Sequence, residues 1–311
     1  MVTDKQRADI ERLLGEGQLS QNEIARRVGC SRTAVQNAAK GKPTQAKVYP
    51  IQQGAKQVNL ETPANWAPNR YRSDKLPSSV LVLPDIQFPF NHPQALQFLS
   101  MAAHKYQVNA VVGIGDEIDA YALSAYEKDP EIYEASGEYE RTLKLLDRLY
   151  ELFPNVIALH SNHGRGRLEA ARKRGGFLRS QVPDYHTFIK APRGWAFYDE
   201  VILGDVLLIH GDGEKALSKP YLERHIPAEY GRHYSVIHGH RHEMVGRQAH
   251  AVVGDKEYWA AYTGCLINPY HPAFGYTKAR KAKLGCGLII HGEYKQLRMT
   301  TDNQGVWDGS L

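Results

Sequence analysis

The sequence predicts an α/β domain preceded by a small all-helical domain, and three features of the chain support this fold class. From residue 78 onward, short apolar runs alternate with amphipathic stretches, which is typical of strands separated by helices. Residues 1–42 instead carry capped helical patterns. No apolar run of the chain reaches the roughly 18 residues that a membrane-spanning helix needs. We therefore expect a protein without a membrane segment.

Composition favours a globular protein of a reducing compartment. The 311 residues are enough for one large domain and one small one. The three cysteines (Cys30, Cys265 and Cys286) are widely spaced and odd in number, which argues against a disulfide framework and favours the cytoplasm. The first residues lack the pattern of a secretory signal. The net charge of +5 permits a polyanionic partner.

Two short helices joined by a glycine turn are the main feature of residues 1–42. Ser20 and Glu23 form a capping-box pattern for a helix over residues 21–28, and Gly29 ends it. Ser31 caps the next helix, over residues 32–39. The pair resembles a helix-turn-helix, whose second helix reads DNA. The residues predicted to face base edges and phosphates are Arg32, Thr33, Gln36 and Asn37. A three-helix bundle for oligomerisation or protein docking is the alternative.

The composition changes after the helical domain. Residues 43–76 are rich in Pro, Gln, Asn, Lys and Gly without a sustained period, which predicts a linker. Residues 77–300 are predicted to form the α/β domain, and residues 301–311 a C-terminal tail. The predicted strands cover residues 80–83, 108–114, 156–159 and 234–237, with a hairpin over 200–209; the predicted helices cover 95–103 and 137–153.

Side chains that bind metals follow these predicted strands. They are Asp85 and Gln87, then Asp116 and Asp119, then Asn162 and His163, then His210, and finally His238, His240 and His242. Because ligand sites of open α/β sheets lie at the carboxyl ends of strands, we expect these side chains to lie close together. The last cluster has imidazoles at alternate positions, and Gly239 supplies the freedom to turn two rings toward one cavity.

In their order along the chain, these motifs resemble those of a known family. They read Asp85-Ile86-Gln87, Gly115-Asp116-Glu117-Ile118-Asp119, Ser161-Asn162-His163, His210 and Gly239-His240-Arg241-His242. The series resembles D-x-H, G-D-x-x-D, G-N-H, H and G-H-x-H of the calcineurin-like metallophosphoesterase superfamily. The resemblance covers residues 80–242, with closing strands to about residue 300. It implies a metallophosphoesterase αββα sandwich of two mixed sheets and a two-metal centre that hydrolyses phosphate esters.

The resemblance implies two ligand sets that share one carboxylate. The first metal would be held by Asp85, Gln87, Asp116 and His242. The second would be held by Asp116, Asn162, His210 and His240. His163 would act beside the leaving-group oxygen, and Asp119 would orient it. A helix N-cap is the alternative role for Asp119.

Three positions depart from the family pattern. Gln87 replaces the usual histidine, and an amide oxygen is a harder ligand than imidazole. We therefore expect two divalent ions with Mn²⁺ first and Mg²⁺, Fe or Zn²⁺ as alternatives; a Gln87 that binds no metal is the other interpretation. Ser161 replaces a glycine, a change we expect to be tolerated. Ala120 replaces the arginine of the protein phosphatases, which argues against that branch.

Basic residues directly after His163 favour a polyanionic substrate, with a solvated helix face as the alternative. Arg165 and Arg167 are the predicted substrate contacts in this run, and a second basic run covers residues 278–283. His238 is predicted to face the substrate or to support the ligands, with a simple strand-end residue as the alternative.

The leading hypothesis is a DNA nuclease or phosphodiesterase that its helix-turn-helix brings to duplex DNA. A phosphomonoesterase or cyclic-nucleotide phosphodiesterase with a non-DNA accessory domain is the first alternative. A DNA-binding regulator with an inactive phosphoesterase fold is the second.

Overall fold

In the computed structural model of the chain, the described residues are 6, 9, 10, 13, 21–30, 35, 36, 69–129, 131, 132, 134–274 and 281–311. They belong to two compact units, Met1–Lys47 and Val48–Leu311. In the first unit, helix α1 (Gln21–Val28) buries Ile24 and Ala25 in a small apolar cluster with Val35. Of the residues predicted to face DNA, Gln36 is helical and half-buried, and Arg32, Thr33 and Asn37 lie outside the described residues. The helix-turn-helix stays a prediction.

The second unit is built on two mixed sheets of six strands each. The strands are β1 (Arg70–Ser73), β2 (Ser79–Leu83), β3 (Ala110–Gly113), β4 (Val156–Leu159), β5 (Trp195–Tyr198), β6 (Glu200–Leu203), β7 (Val206–Ile209), β8 (Ser235–His238), β9 (Gly246–Val253), β10 (Lys256–Tyr262), β11 (Gly285–Ile290) and β12 (Glu293–Arg298). One sheet has the order β1-β6-β7-β8-β10-β9, and the other has the order β12-β11-β2-β3-β4-β5. Strands β2 to β5 are mutually parallel, and so are β7 and β8.

Helices cover the outer faces of both sheets. They are α2 (Ala95–Lys105), α3 (Ala135–Leu152), α4 (Arg167–Arg174), α5 (Tyr185–Phe188) and α6 (Ile226–Tyr230). Because side chains alternate across a strand, Leu81 of β2 packs in a cluster with α2 and α3, while its neighbour Val80 packs against β6 and β7 of the other sheet. On the far side of that second sheet, Leu207 packs with α6. These layers confirm the predicted αββα sandwich of two mixed sheets.

The predicted elements of this unit are present with small shifts of their ends. Strands β2, β3, β4 and β8 match the predicted strands, and α2 and α3 match the predicted helices. The predicted hairpin is β6 and β7, which pair antiparallel around Gly204. Within the described residues, no helix combines the length and the apolar character that crossing a bilayer demands.

Two predicted boundaries need correction. Strand β1 lies inside the segment predicted as a linker, and it pairs in parallel with β6 at the edge of a sheet. The predicted tail is packed on the α/β unit rather than free. The buried Trp307 indole packs edge-on against the Phe98 ring, with 5.4 Å between the ring centroids. Lys105 Nζ donates a hydrogen bond to the Leu311 carbonyl oxygen at 2.8 Å. The α/β unit therefore begins before residue 77 and includes the last residues of the chain.

Candidate metal centre

The carboxyl ends of strands from both sheets bring the predicted ligands to one place. Asp85 follows β2, Asp116 follows β3 and Asn162 follows β4 in one sheet. His210 follows β7 and His240 follows β8 in the other. Because the contributing strands within each sheet are parallel, their carboxyl ends lie at the same edge. The structure thus brings the predicted side chains together at one edge of the sheets.

One group of donors surrounds the point predicted for the second metal. Ligand atoms of Asp116, His210 and His240 lie within 4.8 Å of one another. The Asn162 Oδ1 atom joins them, at 2.8 Å from His210 Nε2 and 3.2 Å from His240 Nδ1. The Asn162 amide oxygen therefore lies beside the other three candidate ligands of this metal.

A second group surrounds the point predicted for the first metal, and it shares the Asp116 carboxylate. Ligand atoms of Asp85, Asp116 and His242 lie within 4.8 Å of one another. His242 Nε2 lies 3.2 Å from Asp85 Oδ2. Gln87 reaches the same place, because its Nε2 atom lies 3.3 Å from Asp116 Oδ2.

Buried polar atoms without partners mark this first group as a place for a cation. Among the described residues, Asp85 Oδ1, Gln87 Oε1 and His242 Nε2 are buried and form no hydrogen bond within the protein; the approach of His242 Nε2 to Asp85 Oδ2 at 3.2 Å lacks hydrogen-bond geometry. An unsatisfied buried polar atom is costly, and the Asp85 and His242 atoms belong to the same group of potential ligands. Carboxylate, amide and imidazole donors together suit a divalent ion. The residues present therefore fit a pair of divalent metal ions.

Hydrogen bonds to the backbone orient the ligands. His210 Nδ1 lies 2.9 Å from the Ile114 carbonyl oxygen and donates to it, so Nε2 is the nitrogen that could bind a metal. The His240 backbone N–H donates to Asp85 Oδ2 at 2.6 Å. Ser161, which replaces the glycine of the family pattern, accepts from the Asp116 backbone N–H at 3.0 Å. The serine thus has a positioning role that the sequence did not indicate.

Left-handed backbone conformations also concentrate at the site. Gln87, Asp116 and His240 have φ values of 53°, 50° and 62°, which non-glycine residues adopt at an energetic cost. The turn predicted for Gly239 is therefore made by His240. Gly239 is needed for a different reason: a Cβ at that position would lie 2.5 Å from Asp85 Oδ1.

The charges of this cluster depend strongly on one another. Burial alone would raise the pKa of the Asp116 carboxyl, but the nearby His210 and His163 hold that pKa well below its usual range. Burial would lower the pKa of His210, and the Asp116 carboxylate instead raises it to about 10. Without a metal, the cluster therefore keeps a positive charge beside Asp116 by protonating His210. A divalent ion supplies that positive charge instead.

His163 and Asp119 lie together beside the metal ligands, as the resemblance implied. His163 Nδ1 is 3.5 Å from Asp119 Oδ2, and the His163 backbone N–H donates to Asp116 Oδ1 at 3.2 Å. Arg167 Nη1 donates to Asp119 Oδ1 at 2.5 Å and to the Asp119 carbonyl at 2.6 Å. Asp119 is therefore fixed between an imidazole and a guanidinium, and it is not a helix N-cap.

These residues line a cleft of ≈ 640 Å³. Its walls include Gln87, Asn162, His163, Arg167, His240 and His242. Among the further lining residues, Asp212 and Glu243 are acids that were not predicted from the sequence. Asp212 follows His210 by two positions, so its place beyond a strand end was a signal that the motif pattern did not use.

The structure does not bring two of the predicted substrate contacts to the cleft. The Arg165 guanidinium forms an ion pair with Asp199 at 3.0 Å and does not line the cleft. His238 is 1% exposed and lies between the rings of Tyr221 and Tyr262. Burial lowers the pKa of His238 to about 3, so this imidazole is a neutral core residue. Its side chain does not line the cleft.

The basic run after His163 is largely engaged within the protein. Arg167 binds Asp119, Arg172 pairs with Glu169 at 3.1 Å, and Arg174 donates to the Leu123 carbonyl at 2.5 Å. These contacts favour a structural role for the basic residues of this run over substrate binding. The described residues of this segment do not form a row of unpaired basic side chains.

Comparisons with known proteins give little direct guidance. No protein-family model matches the chain, and no curated protein matches it. Among solved structures, the chain is similar to YfcE, a phosphoesterase from E. coli, with 15% sequence identity and a TM-score of 0.38. That similarity covers 75% of this chain and 98% of YfcE. A likeness of this size identifies neither a family nor an activity.

Proposed function

We propose that the chain hydrolyses phosphate esters with two divalent metal ions bound at the strand ends. One observation carries this proposal. The Asp116 carboxylate belongs to two groups of metal-binding side chains at once, and the ligand atoms of each group lie within 4.8 Å of one another. A shared carboxylate is a means of holding two ions a few ångströms apart, as two-metal phosphatases and nucleases require.

The metal pair and the protein supply different parts of the chemistry. When bound, two divalent ions lower the pKa of a bound water and neutralise the phosphoryl oxygens during in-line displacement. His163 lines the cleft and is in place to give a proton or a hydrogen bond to the leaving oxygen. Asp119 orients that imidazole, and Arg167 fixes Asp119. Four of the proposed ligands give oxygen donors, which favours Mn²⁺ or Mg²⁺ over Zn²⁺.

We extend the proposal to phosphodiesters of nucleic acid, with DNA first. Asp212 and Glu243 line the cleft, and their carboxylates repel a doubly charged phosphomonoester more than a singly charged diester. The helix-turn-helix pattern of residues 1–42 gives a means of reaching duplex DNA. A monoester or cyclic-nucleotide substrate is the competing outcome.

Hydrolysis of two chromogenic esters by the full chain tests this proposal. With Mn²⁺, we expect bis(4-nitrophenyl) phosphate to be cleaved with a higher kcat/KM than 4-nitrophenyl phosphate. The reverse preference would contradict the diester proposal. Hydrolysis of neither ester under Mn²⁺, Mg²⁺, Fe²⁺ or Zn²⁺ would contradict the phosphoesterase proposal and favour the inactive regulator.

Substitution of the shared carboxylate tests the metal pair itself. Loss of an outer-sphere partner of a metal typically costs 10–100-fold, so Asp116→Asn, which alters a shared ligand, should reduce kcat/KM by at least roughly 100-fold. It should also lower the number of Mn²⁺ ions bound per chain, measured by equilibrium dialysis, from two. The exposed Asp147→Asn on α3 is the matched control, because it makes the same chemical change away from the site. Equal metal binding by both variants would refute the assignment.

A further inference from the structure

A second cavity lies beside the cleft and has no assigned role. It has a volume of ≈ 580 Å³ and is formed by His92 and Pro93 just before α2, by the segment 268–270, and by the chain on either side of β11 and β12. Ala282 lines both this cavity and the cleft, so the two are neighbours. A volume of this size suits a group of the size of a nucleotide.

The charge of this second cavity favours an anion. Lys283 and Arg298 line it, and both are exposed. Within the described part of the chain, neither forms an ion pair with a carboxylate, and no aspartate or glutamate lines the cavity. The carboxylate of the adjacent loop, Asp302, accepts hydrogen bonds from its own turn, from the backbone N–H groups of Gln304 and Val306. The two cations are therefore available to a ligand.

Backbone pairing joins this cavity to the candidate metal centre. The Lys283 N–H donates to the carbonyl of the metal ligand His242 at 2.7 Å. The Lys283 carbonyl accepts from the Cys265 N–H at 3.0 Å, and Cys265 forms a bridge with the metal ligand Asp85. Two candidate ligands and one wall of the second cavity thus belong to one hydrogen-bonded segment, which fixes the cavity relative to the reacting centre.

The remaining lining groups suit a nucleotide. The Tyr270 ring is 70% exposed at the cavity wall and offers a face on which a base can stack. Thr300, Thr301 and Asn303 supply neutral hydrogen-bonding groups. Aromatic faces next to cations are the usual means of binding single-stranded nucleic acid. In contrast, the arginines after His163 are already engaged by acids and carbonyls of the protein.

We propose that the second cavity binds a further nucleotide of a polynucleotide substrate, with its phosphate on Lys283 and Arg298 and its base on Tyr270. This inference rests on the proposed function, and it names the substrate class as a nucleic acid in which the nucleotide beside the cleaved bond is unpaired, as in a single strand or at an opened site of a duplex. A base-paired strand cannot place one nucleotide in a cavity without unpairing.

Binding without turnover tests this proposal first. The probe is a fluorescein-labelled 12-nucleotide single-stranded DNA, and its affinity for the full chain is measured by anisotropy in EDTA. We expect the double variant Lys283→Gln, Arg298→Gln to weaken binding about tenfold, since two charged contacts are lost. The slope of log Kd against log salt should fall by roughly 0.7 for each lost phosphate contact. Tyr270→Ala should weaken binding without changing this slope.

The matched control removes two charges at the opposite edge of the sheet. Lys75 and Arg193 are exposed and precede the amino ends of β2 and β5, which are parallel strands of one sheet. The double variant Lys75→Gln, Arg193→Gln should change affinity by less than twofold. Equal losses in the two double variants, or no loss in either, would overturn the second site.

Turnover separates this inference from the proposed function. In the Lys283→Gln, Arg298→Gln variant, we expect the ratio of kcat/KM for the 12-nucleotide strand to kcat/KM for bis(4-nitrophenyl) phosphate to fall about tenfold. An unchanged ratio in an active enzyme would overturn the second site and leave the phosphodiesterase proposal intact. An inactive enzyme whose strand binding still depends on Lys283 and Arg298 would overturn the proposed function and support the second site.

Discussion

The structure gives Arg167 a different role from the one that its place in the sequence suggested. The sequence placed it with Arg165 in a run of substrate-binding cations, since both follow His163 closely. In the structure the two residues have different partners: Arg167 binds the buried Asp119, and Arg165 binds the half-exposed Asp199. Both partners are remote in sequence, so no local pattern could have separated the two arginines.

We predict that Arg167 acts on turnover through Asp119. Arg167→Met leaves the Asp119 carboxylate without its cation, so His163 loses its fixed orientation. Kcat should fall about 10–100-fold, the usual cost of an outer-sphere partner at a metal site, while KM changes little. Arg167→Lys should recover part of the loss, because an ammonium group retains the charge without the planar donor geometry. Steady-state kinetics on bis(4-nitrophenyl) phosphate measure both constants.

Arg165→Met is the matched control for this prediction. Its ion pair with Asp199 joins side chains that are 41% and 36% exposed, and such pairs contribute at most about 1 kcal/mol. Its kcat should stay within about twofold of the wild type. A raised KM with an unchanged kcat in Arg167→Met would instead show that Arg167 binds substrate, as the sequence suggested.

The start of helix α3 contains an acid whose burial has a measurable cost. Glu138 is buried and accepts hydrogen bonds from the backbone N–H groups of Tyr121 and Ala122 at 2.6 and 2.7 Å. It thereby holds the loop that follows Asp119. Burial nevertheless raises the pKa of Glu138 from 4.5 to about 6, more than these two hydrogen bonds lower it. Glu138 therefore holds this loop by two hydrogen bonds, but ionisation of its buried carboxyl group destabilises the folded protein.

This pKa shift predicts how stability depends on pH. The folded protein holds the Glu138 proton more tightly than the unfolded chain, so the free energy of unfolding falls as the pH rises from 4.5 to about 6. Ionisation of Glu138 thus lowers the free energy of unfolding by about 2 kcal/mol, and the whole of this loss is reached above pH 6. Urea unfolding of Glu138→Gln should lack this decrease, so the variant gains about 2 kcal/mol relative to the wild type between pH 4.5 and 6.5.

The exposed Glu151 near the end of the same helix provides the control. Glu151→Gln should leave the pH dependence of the wild type in place. If Glu138→Gln keeps the full decrease with pH, then Glu138 does not titrate as its burial implies. The variant also loses one of two backbone contacts, so a uniform loss of stability at every pH is expected in addition.

Strands β2, β3, β4 and β8, the β6–β7 hairpin and helices α2 and α3 were predictable from the sequence because they depend on local patterns. Apolar strands and amphipathic helices have different periods, and the motifs at the strand ends indicated which side chains converge. Strand β1 was not predictable: its four residues, Arg70–Ser73, are mainly polar, and they pair with a strand that lies far along the chain. The burial of His238 likewise depends on Tyr221 and Tyr262, which come from other elements.

The candidate site was predictable where residue type alone decides the chemistry. The candidate metal ligands come from motifs that lie directly after strands, so their convergence follows from the topology. The role of Gly239 could not be predicted in this way. The sequence assigned it a conformational role, whereas its necessity comes from the close approach of Asp85. Contacts between residues distant in sequence, and the second cavity they form, require the folded structure.

The division of the chain into two compact units leads to the last prediction. If the first unit binds duplex DNA and the second cleaves phosphodiesters, the two activities should separate by substitution in the full chain. Tethering raises the local concentration of a long duplex at the cleft, but it gives no advantage for a small ester. Hydrolysis of duplex DNA should therefore depend on both units, and hydrolysis of bis(4-nitrophenyl) phosphate on the second alone.

Two variants test this separation. Loss of a specific base contact typically costs about 1–3 kcal/mol, so Arg32→Ala, Asn37→Ala should weaken the binding of a duplex containing the preferred sequence by roughly tenfold or more in a mobility-shift assay. The same variant should lower duplex cleavage relative to ester hydrolysis. Asp116→Asn should abolish cleavage and retain duplex binding, because its substitution lies in the other unit. Loss of duplex binding in Asp116→Asn, or none in the first variant, would show that residues 1–42 do not target the enzyme to DNA, and would favour a docking or oligomerisation role for them.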